Sequence, residues 1–113
     1  MEDLISWHDF AKVELRVGTI MEVADFAKAR KPAYQLRIDF GDEIGILKSS
    51  AQITHHYTKE ELIGRQVIAV VNFPRKQIAD FMSECLVTGF ADEQGHIVLS
   101  AVERALPNGA KLL

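Results

Sequence analysis

The sequence predicts an all-β protein with short helices, built as a small five-stranded barrel with terminal extensions. The segment 12–23 alternates between apolar and polar residues along its length, with Gly18 in its interior. This pattern is typical of a long, half-buried strand that bends. The predicted elements then follow the order of three strands, a helical connection and at least two more strands. A long bent first strand followed by this order favours a small barrel.

The first three strands are predicted to form a meander. We expect a bulge or a sharp bend of the first strand at Gly18. A polar loop that contains proline, over 25–33, leads to a second alternating strand over 34–40. Residues 41–43 predict a tight turn. Residues 44–48 predict a short third strand that pairs with the second in a hairpin.

The segment after the third strand is predicted to be a helical connection. Thr58 and Glu61 have the spacing of a capping box, and Gly64 fits the position that ends a helix. Residues 50–53 predict a further helical turn ahead of that helix. Residues 67–71 form a continuous apolar run. Such a run predicts a strand that is buried on both faces.

The remaining chain predicts short elements. These are a loop over 75–82, a strand over 84–90, a turn over 92–95 and a short strand over 97–99. The complete order is that of the five-stranded OB barrel. Periodicity alone also allows a generic α+β sheet, and the long first strand with its interior glycine favours the barrel. We expect one domain over 1–113, with the barrel starting near residue 8 after a short N-terminal extension.

The charge and the cysteine content limit the possible partners and compartments. The net charge is −3, which argues against indiscriminate nucleic-acid binding but leaves room for a local basic groove. The single cysteine excludes an internal disulfide. Glu2 and Asp3 stand where a secretory signal would carry lysines, and no apolar stretch is long enough to span a membrane. We therefore expect a cytoplasmic protein without membrane insertion.

The common catalytic and metal-binding motifs are missing from the sequence. It contains no glycine-rich phosphate loop, no Gly-x-Ser-x-Gly elbow and no His-Glu-x-x-His motif. His55 and His56 are adjacent, whereas a zinc-binding pair on a helix is usually spaced by four residues. Cys85 has no cation beside it that would activate a thiolate. We expect no catalytic residue, no metal site and no cofactor, and therefore a protein that is not an enzyme.

Cations on the predicted meander suggest a binding face. Arg16 and Arg37 lie on the polar faces of the first and second strands, and Lys48 ends the third. These three side chains are expected to share one concave surface, which is where OB folds bind oligonucleotides. The alternative is that they are solvated charges paired with nearby acids, an interaction that is common and weak.

A second group of candidates lies in the predicted loop over 75–82. Phe81 and Met82 end this loop, and Arg75 and Lys76 begin it. An apolar pair near cations suits either an unpaired base or an apolar side chain of a peptide. We therefore expect this loop to flank the cationic face.

Several segments resemble a known family. The strand Val-Glu-Leu-Arg-Val-Gly-Thr-Ile over 13–20 resembles the opening strand of the tRNA-binding OB domains, which occur in some tRNA synthetases and as free-standing proteins. Further segments are more similar to one branch of that family, the free-standing, secretion-related CsaA chaperones of bacteria and archaea. These segments are 29–34, 36–41, 48–54, 72–74, 81–84 and 107–109. The chain departs from the family at Arg75, where a second proline is usual, and at Ala79 and Asp80, where glycine is common.

The resemblance implies a binding protein with an OB fold. It also implies a homodimer with termini at its interface, and chaperone-like binding of unfolded polypeptides or export-destined preproteins. The alternative is a protein that binds tRNA and acts in trans on tRNA or its synthetases. The candidate peptide- or tRNA-binding residues are Arg16, Lys31, Arg37, Lys48, Ser50, Gln52, Arg75, Lys76, Phe81, Met82 and Ser83.

The terminal segments are the candidate dimer interface. They are rich in apolar residues, which a monomer would expose as a patch, and soluble monomers tend to avoid such patches. A dimer with twofold symmetry would bury the same patch on both subunits. The residues expected at this interface are Leu4, Ile5, Trp7, Leu106, Leu112 and Leu113.

Overall fold

A computed structural model describes residues 3–113, so Met1 and Glu2 of the predicted domain lie outside the described residues. Two short helices and nine strands occur in the described part. The helices are α1 (Trp7–Ala11) and α2 (Lys59–Leu62). The strands are β1 (Leu15–Asp25), β2 (Tyr34–Asp39), β3 (Ile46–Ala51), β4 (Gln66–Val70), β5 (Lys76–Ile78), β6 (Phe81–Ser83), β7 (Leu86–Val87), β8 (Gly89–Ala91) and β9 (Ile97–Leu99).

Five strands form the main antiparallel sheet, in the order β3-β2-β1-β4-β7. The two outer strands approach each other, because the Glu84 amide, just before β7, donates to the Lys48 carbonyl of β3 at 2.8 Å. The sheet is therefore a nearly closed barrel. The predicted mostly-β, five-stranded OB barrel is confirmed.

β1 belongs to both halves of the barrel. Its first part, up to Thr19, pairs with β4, and its second part, from Thr19 onwards, pairs with β2. The long first strand was predicted from its alternation, and the structure explains its length by these two partners. The bulge lies at Met21, because the β1–β2 register shifts between Ile20 and Glu22.

Gly18 does not form the predicted bend, and close packing of the core requires glycine at this position instead. A Cβ atom at this position would lie 2.6 Å from Ile38 Cγ2 and 2.7 Å from the Phe40 ring. Such distances are far below van der Waals contact. Gly18 is therefore required by the packing of the core, and the expectation of a bulge at this residue is corrected.

The connection after the meander differs from the prediction at its start. Ser50 and Ala51 are the last residues of β3, so the predicted helical turn over 50–53 is wrong. Pairing with β2 continues to Ala51 and decides the local conformation. The later helix is present as α2, with the Thr58–Glu61 capping box, and Gly64 follows it with a φ of +88°.

Two further segments have a different structure from the predicted one. The predicted loop over 75–82 is a hairpin of β5 and β6, with Ala79 in its turn at a φ of +51°. A positive φ is uncommon for alanine, and glycine would adopt it without a steric cost. The predicted strand over 84–90 divides at Thr88 into β7 and β8, because β8 pairs with β9 outside the main sheet.

Helix α1 was not predicted. Its N-cap is Ser6, which forms a capping box with Asp9. The Ser-x-x-Asp spacing was visible in the sequence, but the helix has only five residues, so its apolar spacing of Trp7, Phe10 and Ala11 is too short to be a clear signal. No helix in residues 3–113 is both long enough and apolar enough to cross a membrane.

The core lies between the β1–β2–β3 meander and β4. The largest fully buried side chains are Phe40, Ile20, Leu36, Ile38, Leu62 and Val67. Leu62 comes from α2, so this helix contributes its apolar side chain to the core. Within residues 3–113, Ser49 is the one buried polar residue, and its hydroxyl donates to the Cys85 carbonyl at 3.0 Å.

The C-terminal segment lies beside the start of β1. The Gly109 amide donates to the Val17 carbonyl at 2.7 Å, and the Leu112 amide donates to the Leu15 carbonyl at 3.0 Å. Gly109 has a φ of +92°, and a Cβ there would lie 2.5 Å from the Phe40 carbonyl oxygen. The C-terminal segment can therefore approach the barrel this closely only because residue 109 is glycine.

Candidate functional site

A groove runs along the seam of the barrel, which we define as the gap between the free edges of β3 and β7. It encloses about 760 Å³ and lies between residues 50–53 on one side and 85–89 on the other. The rest of its lining consists of Phe73, Pro74, Lys76, Ile78, Ser83 and Ile97. Phe73 is 56% exposed and Leu86 is 51% exposed. We call this cavity the apolar groove, and its exposed apolar side chains suit an apolar ligand.

A basic pocket of about 730 Å³ adjoins the apolar groove. It lies between the loop that precedes β2 and the β5–β6 hairpin. Its cations are Lys28, Arg30, Lys31 and Lys76. Ser50, Gln52, Lys76 and Ile78 line both cavities, so the two form one continuous surface.

The basic pocket keeps most of its positive charge. Lys28 forms an ion pair with Asp80 at 3.1 Å, and this hydrogen bond lowers the pKa of the Asp80 carboxyl. Arg30, Lys31 and Lys76 are exposed, and no carboxylate in residues 3–113 forms an ion pair with them. An anionic group of a ligand would therefore find three available cations.

Five of the predicted site residues line this surface. Lys31 lies in the basic pocket, Ser83 lies in the apolar groove, and Ser50, Gln52 and Lys76 lie where the two meet. The register explains the position of Ser83, because it lies opposite Lys76 in the β5–β6 hairpin.

The predicted cationic face requires a correction at Arg16. Arg16 has the same parity on β1 as Gly18 and Ile20, which face the core, and its side chain is only 12% exposed. Its guanidinium donates to Glu14 and to the Gly109 carbonyl at 2.9 Å. The structure therefore separates Arg16 from Arg37 and Lys48 and gives it a role in holding the C-terminal segment.

Arg37 and Lys48 are direct neighbours in the β2–β3 register, as expected, but they lie outside the groove lining. Arg37 forms an ion pair with Glu22 at 3.5 Å. The Lys48 ammonium lies 5.3 Å from the centre of the Phe81 ring. Both cations are therefore engaged with neighbours on the outer face of the sheet.

The other three predicted residues also lie outside the lining of both cavities. The Phe81 ring packs against Phe26, with 5.4 Å between ring centres. Met82 lies opposite Gln77 in the hairpin. Arg75 forms an ion pair with Glu84 at 3.3 Å. Their contact with a ligand stays a prediction.

Several lining residues are absent from the list of candidate binding residues, although the sequence marks Phe73 as a possible peptide contact and Lys28 and Arg30 as part of a local basic cluster. Phe73 and Ile78 line the apolar groove, and Lys28 and Arg30 line the basic pocket. The run of three cations over 28–31 was a signal for the basic pocket. No signal of this kind exists for Ile78, because its place depends on a hairpin that was predicted to be a loop.

Cys85 is a buried residue of the lining of the apolar groove. Burial raises the pKa of its thiol to about 12. The thiol therefore stays protonated at neutral pH, and a protonated thiol is a poor nucleophile. This supports the interpretation of Cys85 as a small packing residue.

Three histidine rings lie close together in the structure. The rings of His55 and His96 stack with 3.5 Å between centres and 7° between planes. His56 Nε2 lies 2.6 Å from Asp92 Oδ2. These contacts join the turn after β3 to the turn between β8 and β9. Within residues 3–113, no three His, Cys, Asp or Glu side chains are arranged to hold a metal ion.

We expect the Asp92 contacts to make the stability fall in acid. Hydrogen bonds from His56 and from the His96 amide lower the pKa of the Asp92 carboxyl from 3.8 to about 2. A lowered folded-state pKa stabilises the fold above the unfolded-state value, and this stabilisation is lost as the pH falls from about 4 to about 2. Thermal melts across this range should show a smaller pH dependence for Asp92→Asn than for the wild type.

Glu93→Gln is the matched control for this prediction, because it removes an exposed carboxylate from the same turn. Its melting temperature should keep the wild-type pH dependence between pH 4 and pH 2. An Asp92→Asn variant with the wild-type dependence would contradict the prediction and would show that other carboxylates dominate acid unfolding.

Comparisons with known proteins agree on one family. The family model for a putative tRNA binding domain matches residues 15–111. The chaperone CsaA of Bacillus anthracis str. Ames is 48% identical, with a TM-score of 0.92 over 98% of this chain and 100% of that chain. The CsaA chaperone protein of Picrophilus torridus is 52% identical, with a TM-score of 0.91 over 97% of this chain and 100% of that chain.

Curated relatives belong to the same family in a different setting. The methionine–tRNA ligase of Methanococcus aeolicus is 36% identical over 110 residues, which are 97% of this chain and 16% of the ligase. This chain thus spans a small part of the length of the ligases that it matches. The match of the family model and the identities over nearly the whole chain lead to one conclusion: this chain belongs to the tRNA-binding domain family and, within it, to the CsaA proteins.

Proposed function

We propose that this chain is a non-catalytic, CsaA-like chaperone that binds unfolded or export-destined polypeptides in the apolar groove. The observation that carries the proposal is the groove itself, where exposed apolar side chains line the open seam of the barrel. Burying Phe73 and Leu86 against a ligand would remove apolar surface from water, which is the main driving force of such binding. The likeness to solved CsaA chaperones supports the same function.

The alternative function is tRNA binding in trans. The family match and the three available cations of the basic pocket favour it, since phosphate contacts by Lys and Arg supply most of the affinity of proteins for nucleic acids. The net charge of −3 does not favour it. Peptide binding also accounts for the apolar groove, which a phosphate-binding surface does not need.

The test compares the binding of a reduced, unfolded protein and of total tRNA over a range of salt concentrations. Phe73→Ala should weaken polypeptide binding by about 1–2 kcal/mol, the cost of losing an apolar anchor. The polypeptide affinity should change little with salt, whereas the log affinity for tRNA should fall by about 0.7–0.9 per phosphate contact for each log unit of salt.

Phe90→Ala is the control, because Phe90 is 74% exposed and lies outside the groove lining. It should leave both affinities unchanged. Tight, salt-dependent tRNA binding together with no measurable polypeptide binding would replace the proposed function by its alternative.

We propose further that the protein is a homodimer. The six predicted interface residues are all exposed, and the C-terminal segment is held at the start of β1, where the Leu112 amide donates to the Leu15 carbonyl. A twofold interface would bury such exposed apolar side chains on both subunits. Light scattering should give the mass of a dimer, and Trp7→Ser should shift it towards a monomer. A monomeric wild type at all accessible concentrations would contradict the proposal.

The compartment and the domain limits are part of the same proposal. Both ligand classes, nascent polypeptides and tRNA, occur in the cytoplasm, and a single binding domain from about residue 8 to residue 113 contains every residue of the groove and the pocket.

A further inference from the structure

The edge of β3 along the seam is only partly paired. Two seam-facing residues of this strand already have partners: the Lys48 carbonyl accepts from the Glu84 amide at 2.8 Å, and the Ser50 amide donates to Ser83 Oγ at 3.2 Å. Main-chain groups of alternate residues point to the same side of a strand, so Gln52 faces the seam as well. Neither its amide nor its carbonyl forms a hydrogen bond with another main-chain group in residues 3–113.

Strand β7, on the opposite side of the seam, also has main-chain groups that point into the seam. The Thr88 amide donates to the Ile68 carbonyl at 2.9 Å, which fixes the alternation along β7. The main-chain groups of Val87 therefore point away from β4 and into the seam. An edge strand with free main-chain groups is a template for an added strand. An extended peptide, unlike a nucleic acid, has the alternating amides and carbonyls that match such an edge.

The apolar groove and the basic pocket suit different side chains of a peptide that is bound in this way. The apolar groove and the basic pocket meet at Gln52, so a strand that pairs there passes both. Residues in an extended strand are spaced by about 3.3 Å, which places side chains only a few positions apart in the two cavities. The basic pocket has Arg30, Lys31 and Lys76 without ion-pair partners in the described chain. Charge complementarity therefore favours an acidic side chain near an apolar one.

We propose that the preferred ligand is an extended polypeptide segment in which acidic residues lie within a few positions of apolar ones, bound as an added strand along the seam. Its apolar side chain occupies the apolar groove, and its carboxylate lies in the basic pocket. This inference rests on the proposed polypeptide-binding function and adds to it both a mode of binding and a preference for charge.

The test uses short fluorescent peptides of equal length and equal apolar content, in which the remaining residues are Glu, Gln or Lys. At low salt the wild type should bind the Glu peptide about tenfold more tightly than the Lys peptide, with the Gln peptide between them. The preference should shrink as salt rises, because the cations of the pocket are exposed. N-methylation of alternate amides in the Glu peptide should weaken its binding at least about tenfold, since it removes ladder hydrogen bonds.

Two charge-reversal variants test whether the preference for the Glu peptide arises from the basic pocket. Lys31→Glu should remove most of the preference for the Glu peptide, whereas Arg104→Glu, which reverses an exposed cation outside both cavities, should keep it. Circular dichroism checks the fold of both variants. The peptide series needs no variant, so a misfolded Lys31→Glu protein would not prevent the test.

The outcomes separate this inference from the proposed function. Equal binding of the Glu, Gln and Lys peptides, unaffected by N-methylation, would overturn the inference and leave polypeptide binding intact. Binding of tRNA with no binding of any peptide would overturn both. A charge preference that survives Lys31→Glu would place the acid outside the basic pocket and would also overturn the inference.

Discussion

Replacing Phe40 by alanine is expected to lower the free energy of unfolding by about 3–5 kcal/mol. The Phe40 side chain is fully buried, and its ring lies 2.7 Å from the place where a Cβ of Gly18 would be. The packing is so close that the surrounding residues cannot collapse into the space left by the ring. A domain of this size is typically stable by only about 5–15 kcal/mol, so the variant should be close to unfolding.

Urea denaturation monitored by circular dichroism measures this effect. Phe90→Ala is the matched control, because the same ring is removed from a largely exposed site, and its cost should be below about 0.5 kcal/mol. Phe40→Leu keeps part of the volume and should be less destabilised than Phe40→Ala. Equal losses for Phe40→Ala and Phe90→Ala would mean that the core is not centred on Phe40.

Arg16→Met is expected to destabilise the fold by about 2 kcal/mol, because hydrogen bonds from a charged donor typically contribute about 1.5–3 kcal/mol. The nearly buried guanidinium of Arg16 bonds both Glu14 and the Gly109 carbonyl. Its loss leaves that carbonyl without its charged donor and releases the C-terminal segment from the start of β1. Faster proteolysis at Lys111 should accompany the loss of stability.

Arg37→Met is the control for Arg16. Arg37 is half exposed and pairs with Glu22 on the surface, where an ion pair contributes about 0–1 kcal/mol. Neither variant should change the affinity of the groove for a polypeptide, because neither side chain lines it. A loss of ligand affinity with Arg16→Met at full stability would restore the shared cationic face predicted from the sequence.

The residues with local signals were predicted correctly. The capping box of Thr58 and Glu61 and the glycine after it define α2 within a few residues of chain, and the structure confirms both. Alternation over β2 follows from one buried and one exposed face, so the core positions Leu36 and Ile38 were readable from their spacing alone. Such features depend on contacts between near neighbours in the chain.

The structure brings only part of the candidate binding residues together on one surface. Ser50, Gln52 and Lys76, which the resemblance suggested as binding residues, line both cavities in the structure, and their contact with a ligand stays a prediction. Arg16 was misplaced because parity on a strand does not say which face the core takes. One bulged residue, Met21, changes the parity between the first and second halves of β1, so Arg16 and Glu22 face different surroundings.

The sequence by itself determined the class of the fold, the meander and the capped helix, because alternation and capping are patterns of near neighbours. Only the tertiary structure decided what closes the barrel and what its seam exposes. The hairpin of β5 and β6, the division of the chain at Thr88 and the return of Gly109 to β1 all depend on pairing between residues far apart in the chain. Such pairing depends on which edges remain free once the barrel has formed, and no local pattern encodes that.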